Sequence, residues 1–199
     1  MNIIELAKTR AMSGGSSGSG GGDPLDLCIE GGQAEVNLPN VTKIKKYGFY
    51  QDSSLINITM PNVTSIGQYA FQNCSNLALT KLPSGITSIG SYAFSGCSKL
   101  ALTELPSGIT IIDSSVFYSC TNLAIKEIPS GVTRIEGSAF YNCKGLTEIT
   151  FKSKPSSINN SFSVCTNIKT INVPWAEGEV SGAPWGATNA TINYNYTGG

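Results

Sequence analysis

Residues 70–100 read Ala70-Phe71-Gln72-Asn73-Cys74-Ser75-Asn76-Leu77-Ala78-Leu79-Thr80-Lys81-Leu82-Pro83-Ser84-Gly85-Ile86-Thr87-Ser88-Ile89-Gly90-Ser91-Tyr92-Ala93-Phe94-Ser95-Gly96-Cys97-Ser98-Lys99-Leu100. The segment Ala-Phe-x-x-Cys-x-x-Leu occurs twice in it, 23 residues apart, and the pattern continues in both directions. Phe stands at 49, 71, 94, 117, 140 and 162, in steps of 22 or 23. Three residues on comes Asp52, then Cys at 74, 97, 120, 143 and 165. Three further on comes an aliphatic residue: Leu55, Leu77, Leu100, Leu123, Leu146 and Ile168. Five later comes Met60, Leu82, Leu105, Ile128, Phe151 or Val173. Pro follows at 61, 83, 106, 129 and 174, then an aliphatic-Thr-x-Ile run at 63–66, 86–89, 109–112 and 132–135, with an early copy at 41–44.

A unit of 22 or 23 residues cannot bury its own core, and stacking of neighbours solves this. The unit reads as a strand (Leu-x-x-x-x-Leu), a Pro turn, a second short strand (Val-Thr-x-Ile), and a compact turn or one-turn helix through Phe and Cys. The chain is therefore expected to be a mainly β solenoid of about six coils, with parallel strands, little helix and capped ends. Equivalent residues recur at about 4.8 Å per coil, so Leu, Ile, Phe and Cys form inward ladders. The longer copies carry Pro-Ser-Gly where the shorter carry Pro-Asn, so the extra residue falls at a turn. The copy after Leu146 is degenerate: Pro155 is displaced and Ser157-Ile158 replaces the Thr-bearing run.

The chain has 199 residues, 13 Lys plus Arg, 13 Asp plus Glu, and no His. Without His there is no Ser-His-Asp or Cys-His catalysis and no His-ligated metal. Zero net charge argues against a nucleic-acid or anionic-membrane partner. No apolar run is long enough for a membrane helix, and the first ten residues do not read as a secretion signal. Residues 1–22 read as a short peptide on a Gly/Ser linker, a tail or a tethered docking element. Residues 23–37 are expected to cap one end, 38–174 to carry the repeats, and 175–199 to cap the other, with Trp175 and Trp185 over the open coil and a last strand within 190–196.

These residues resemble the BspA-like, or Treponema pallidum-type, leucine-rich repeats, above all at 70–77, 93–100 and 86–90. The resemblance covers about residues 36–174. It implies a right-handed leucine-rich repeat coil and a non-enzymatic binding or adhesion module of extracellular or cell-surface type. The segments 173–178 and 183–194 are similar to the closing segments of such proteins from gut Firmicutes and their prophages. This opens an alternative, a phage structural or receptor-binding protein. The family has no shared catalytic residues, and no cofactor or metal is expected.

The five repeat cysteines read as small buried filler, with Cys28 apart from them. Glu104, Glu127 and Glu148 read as a solvated row, not a converging catalytic pair. The candidate binding face consists of the outward strand positions. One row is Thr59, Lys81, Glu104, Glu127, Thr150 and Asn172. The adjacent row contributes Thr80, Thr103 and Lys126, with Ile58, Ile149 and Ile171 turned into the core. Tyr50, Tyr118 and Tyr141, each directly after a ladder Phe, form a candidate aromatic edge. The expected ligand is a protein or a glycan.

Overall fold

The structure, a computed structural model, describes residues 34–198. Residues 1–22, most of the segment 23–37, and Cys28 lie outside the described residues. The described chain climbs in parallel coils with two strand walls. One wall holds β1 (Glu35–Asn37), β3 (Asn57–Thr59), β7 (Glu127–Ile128), β9 (Glu148–Phe151), β11 (Thr170–Asn172) and β12 (Thr191–Asn193). The other holds β2 (Lys43–Ile44), β4 (Ser65–Ile66), β5 (Ser88–Ile89), β6 (Ile111–Ile112), β8 (Arg134–Ile135) and β10 (Ser157–Ile158). Every pairing is parallel, and equivalent residues of successive copies meet, as in Ile44↔Ile66↔Ile89 and Ile112↔Ile135↔Ile158. No α-helix occurs among the described residues.

The third side, expected as a turn or a one-turn helix, is a run of tight turns. Two residues per copy have positive φ, four apart: Tyr47 and Gln51, Tyr69 and Asn73, Tyr92 and Gly96, Ser115 and Ser119, Ser138 and Asn142, Asn160 and Val164. Between each pair, the Phe N–H donates to a carbonyl of the following coil. Phe71 donates to Ala93, Phe94 to Val116, Phe117 to Ala139, Phe140 to Ser161 and Phe162 to Trp185, all at 2.7–2.9 Å. The Phe rings stack from Phe49 to Phe162, with centroids 5.1–5.8 Å apart and planes within 14°. Such aromatic pairs add about 0.5–1.5 kcal/mol each beyond area burial. Leu55, Leu77, Leu100, Leu123, Leu146 and Ile168 are fully buried beside them.

Both strand walls are interrupted, each for a reason written in the side chains. In the first wall, β3 and β9 alternate, burying Ile58 and Met60, and Ile149 and Phe151, while β11 buries Ile171 and Val173 with Asn172 between them also buried. The next three copies instead bury Leu79, Leu102 and Ile125, while Leu82, Leu105 and Ile128, three residues later, also face the core. Two outward residues between two inward ones break the period of two. The strands expected at 77–82 and 100–105 are absent, β3 pairs only with β1, and in the third of these copies pairing resumes only at its end, with Glu127–Ile128 against β9.

The second wall breaks between β5 and β6. Gly67 and Gly90 sit where a Cβ would lie 2.5 Å and 2.7 Å from a backbone N of the coil before. The equivalent residue in the next copy is Asp113. The small residue of the Phe turn, Ala70, Ala93 and Ala139, is there Val116. Glu136 occupies the glycine position one copy later without loss of pairing, so the two substitutions act together. The Phe94–Phe117 step at this seam is the widest of the stack, at 5.8 Å.

At the C-terminal end, Trp175 and Trp185 are buried with centroids 6.2 Å apart, and both rings contact Phe151. The Trp185 indole donates to the Ser181 carbonyl at 2.8 Å. Final strand β12 pairs with β11.

The inward ladder sets a contrast that denaturant unfolding reads. Phe94→Ala, in mid-stack, is expected to cost about 3–5 kcal/mol. Glu104→Ala, on the exposed wall, stays within about 0.5 kcal/mol. Equal costs would refute the inward and outward assignment. The seam sets a second. Partial burial first, then the Glu136 carboxylate, raise the Asp113 pKa, with Arg134 opposing. The folded state then holds this proton more tightly than the unfolded chain, so stability falls as pH rises through the folded pKa. Asp113→Asn is expected to melt higher than the parent at neutral pH. The difference should vanish below the ordinary Asp pKa.

Candidate binding surfaces

Each outward row begins as a strand position and is placed by the register just described. Asn37, Thr59, Thr150, Asn172 and Asn193 stand in one row across β1, β3, β9, β11 and β12, and Glu127 of β7 pairs with Thr150. Thr59, Lys81, Glu104, Glu127, Thr80, Thr103 and Lys126 are all exposed, and Thr150 is half-buried. Two residues do not lie as the sequence suggests. Asn172 is 2% exposed. Its amide donates to Glu148 Oε1 at 2.7 Å and Thr150 Oγ1 at 3.1 Å, and its carbonyl oxygen accepts from Asn193 Nδ2 at 2.8 Å. A buried amide must spend its donors and acceptor on partners, so Asn172 belongs to a ladder that ties the last strands together. Glu148 pairs with Thr170, two residues out of line with Glu127, so the three glutamates do not form one row.

The row charges neutralise one another. Lys81 Nζ lies 3.3 Å from Glu104, and Lys152 Nζ lies 2.8 Å from Glu127. Such exposed pairs contribute little stability, but they leave the middle of the face without net charge. The wall is not flat. Where the chain bows out after β3, a groove of about 500 Å³ opens between β3 and residues 78–83. Asn57, Thr59, Thr80 and Lys81 supply its polar groups, and Ile58 and Pro83 part of its apolar wall. The Ile58 N–H there is met by the Asn57 side-chain oxygen at 3.0 Å.

The aromatic edge is two clusters. Tyr118 and Tyr141 stack face to face at 4.6 Å and 6°. Tyr50, three copies away from Tyr118 with Gln72 and Ser95 between, does not join them. It meets Tyr47 edge-on at 5.3 Å. Tyr47 begins a ladder that the sequence reading missed: Tyr47–Tyr69 at 5.1 Å and 5°, and Tyr69–Tyr92 at 5.2 Å and 22°. Lys46 Nζ lies 5.1 Å from the Tyr47 centroid and 5.9 Å from that of Tyr69, within cation–π range. The signal was present in the sequence, as Tyr two residues before Phe in three successive copies.

The cysteines do more than fill. Each thiol donates to a Phe carbonyl of the preceding coil: Cys74 to Phe49, Cys97 to Phe71, Cys120 to Phe94, Cys143 to Phe117 and Cys165 to Phe140, at 2.8–3.0 Å. Asp52, in the equivalent place of the first copy, accepts instead, from the Ser54 N–H and hydroxyl and the Leu55 N–H. Burial pushes the Cys74 thiol up to about 12 and that of Cys165 up to about 11, and holds Cys97, Cys120 and Cys143 well above the usual thiol range. Protonated buried thiols are poor nucleophiles and poor metal ligands. Among the described residues, no three His, Cys, Asp or Glu side chains are grouped to hold a metal, and no helix is long and apolar enough to cross a membrane.

The family described as "BspA type Leucine rich repeat region" matches residues 42–169 in six copies. Among solved structures, the chain is similar to the leucine-rich repeat protein of T. pallidum, at 29% identity and a TM-score of 0.62, over 71% of this chain and 72% of that one. It is similar to a leucine-rich repeat protein of Bacteroides ovatus at 31% identity and a TM-score of 0.60, over 69% of this chain but only 39% of that longer one. The pneumococcal vaccine antigen PcpA shares the fold at 19% identity, with a TM-score of 0.53 over 78% of this chain and 36% of the antigen. No curated protein matches the chain.

The thiol ladder yields a chemical test. In a Cys28→Ser background, the five ladder thiols are expected to resist a thiol-titrating disulfide reagent in the native protein and to react together in guanidinium. Rapid labelling of any of them in the folded state would contradict their burial.

Proposed function

The chain belongs to the BspA-type leucine-rich repeat family, and from that premise we propose that it is a non-catalytic binding module of a bacterial surface or extracellular protein. Its ligand is a protein or a glycan, engaged along the first strand wall. The observation that carries this reading is the groove beside β3. There the wall opens to about 500 Å³, lined by polar Asn57, Thr59, Thr80 and Lys81 beside apolar Ile58 and Pro83. Apolar surface with a few polar groups is the kind of lining that ligand contact uses. Thr59, Thr80 and Lys81 are the contact residues. Thr103, Glu104, Lys126, Glu127 and Thr150 extend the surface along the wall. In the same reading, residues 1–22 tether the module, 23–37 and 175–199 close its ends, and 38–174 carry the ligand face. The high thiol pKa values and the paired exposed carboxylates support a role without catalysis.

Arrays of extracellular proteins and of glycans, probed with the full chain, test this. For a ligand so found, Lys81→Glu is expected to weaken binding about tenfold or more, while Lys99→Glu on another side leaves it unchanged. Equal affinities of both variants and the parent would overturn the groove as the site. Turnover of any ligand, abolished by substitution in the rows, would overturn the non-catalytic reading.

A further inference from the structure

The neutral total charge conceals an uneven distribution. Three lysines, Lys43, Lys45 and Lys46, fall at positions 43–46, directly before Tyr47. The acids of the same coil are Glu35 and Asp52, and the Asp52 carboxylate is buried and spent on its own turn. Positive charge is thus concentrated where the tyrosine ladder starts.

The ladder is also a costly choice of residue. Tyr47, Tyr69, Tyr92, Ser115, Ser138 and Asn160 occupy equivalent places, and all six have positive φ, between 42° and 61°. That conformation suits Asn and small residues, and a bulky side chain there is an outlier. Ser115, Ser138 and Asn160 show that the turn forms without an aromatic ring. Three consecutive tyrosines are therefore not required by the fold, and an outlier of this kind points from structure to function. Tyr47 remains 44% exposed, although it stacks on Tyr69, and Tyr50 beside it is 41% exposed.

We propose that the Tyr47–Tyr69–Tyr92 ladder, with Lys46 over its first two rings and Lys43 four residues before Tyr47, recognises an extended anionic polysaccharide lying along the solenoid axis. The surface offers identical groups at a constant step of 5.1–5.2 Å, which fits a chain of identical units better than a peptide of mixed sequence. The rings cover one another's faces, so the edges and phenol groups are presented. Phenol hydroxyls donate and accept, as sugar hydroxyls and carboxylates require. A single-stranded nucleic acid stacks its bases on open aromatic faces, which this ladder does not provide. The ammonium groups at its head meet carboxylate or sulfate. This surface lies on the turn side and is independent of the groove on the first strand wall.

The test is titration of the full chain with alginate, whose charge is carboxylate, and with dextran sulfate, whose charge is sulfate. Neutral dextran, poly-L-glutamate and oligothymidylate are the comparison ligands. Binding is expected to at least one anionic polysaccharide, weakening as salt rises from about 0.05 to about 0.5 M. Which of the two binds names the anion. Tyr69→Ser, a residue that the same turn carries at 115 and 138, is expected to lower affinity about tenfold, as is the double variant Lys43→Gln/Lys46→Gln. Tyr141→Ser and Lys144→Gln should leave it unchanged. The proposal is overturned by equal binding to neutral dextran, by tighter binding to polyglutamate or oligothymidylate, by no binding to either anionic polysaccharide, or by a Tyr69→Ser variant that melts and binds like the parent. A loss confined to Lys81→Glu would place the site in the groove and equally overturn it.

Discussion

The Phe turn is the constraint on which the rest of this solenoid depends. Each ladder phenylalanine from Phe49 to Phe140 joins three contacts: its ring stacks on the next, its N–H donates to the following coil, and its carbonyl accepts the cysteine thiol of that coil. Ring, amide and thiol all fix the same register, so one coil cannot slide on the next without losing all three. A buried carbonyl accepts two hydrogen bonds readily, and the Phe71 carbonyl receives both the Cys74 N–H and the Cys97 thiol. Cysteine suits this place because it is small, apolar in bulk and a weak donor.

With the turn side continuous, the strand walls are free to fail. They do so locally: the first wall where the Leu79–Leu82 and Leu102–Leu105 spacing replaces alternation, the second where Asp113 and Val116 push a coil away from its neighbour. Neither break reaches the Phe stack, which merely widens to 5.8 Å. The groove beside β3 is the product of such a break. A perfectly regular wall with paired charges would present no concavity. Irregularity in the repeat thus supplies concavity, while regularity elsewhere supplies the rigidity that holds its shape.

The architecture was legible in the sequence because burial imposes one residue type per place on every copy, and a period of 22 or 23 repeated six times is visible without coordinates. Ile58, Ile149 and Ile171 could be assigned to the core from the same comparison. The missing strands at 77–82 and 100–105 were harder to foresee, since the distance from Leu77 to Leu82 equals that from Leu55 to Met60. Only the additional Leu79 marks the change of phase. Asn172 looked outward by register and polarity. Its burial follows from strands β9, β11 and β12 closing together, which depends on where Glu148 and Asn193 direct their polar groups. The cysteine hydrogen bonds were hidden for a similar reason: spacing places the sulfur in the core but does not say which carbonyl it meets.

In a repeat protein the core speaks through what recurs, and function through what recurs only in part. The tyrosine column is the clearest case here. Its backbone conformation is common to six copies, so the fold's demand on it can be read from Ser115, Ser138 and Asn160, which meet that demand at little steric cost. Whatever Tyr47, Tyr69 and Tyr92 add is then in excess of folding. The stacking energy between them offsets part of the strain at positive φ, yet stacking alone would favour the same residue in every coil. It stops at the third, in the stretch where lysines outnumber exposed acids. Coincidence of a restricted aromatic ladder with a restricted charge excess is what a binding surface leaves in a sequence whose remaining positions are dictated by the core.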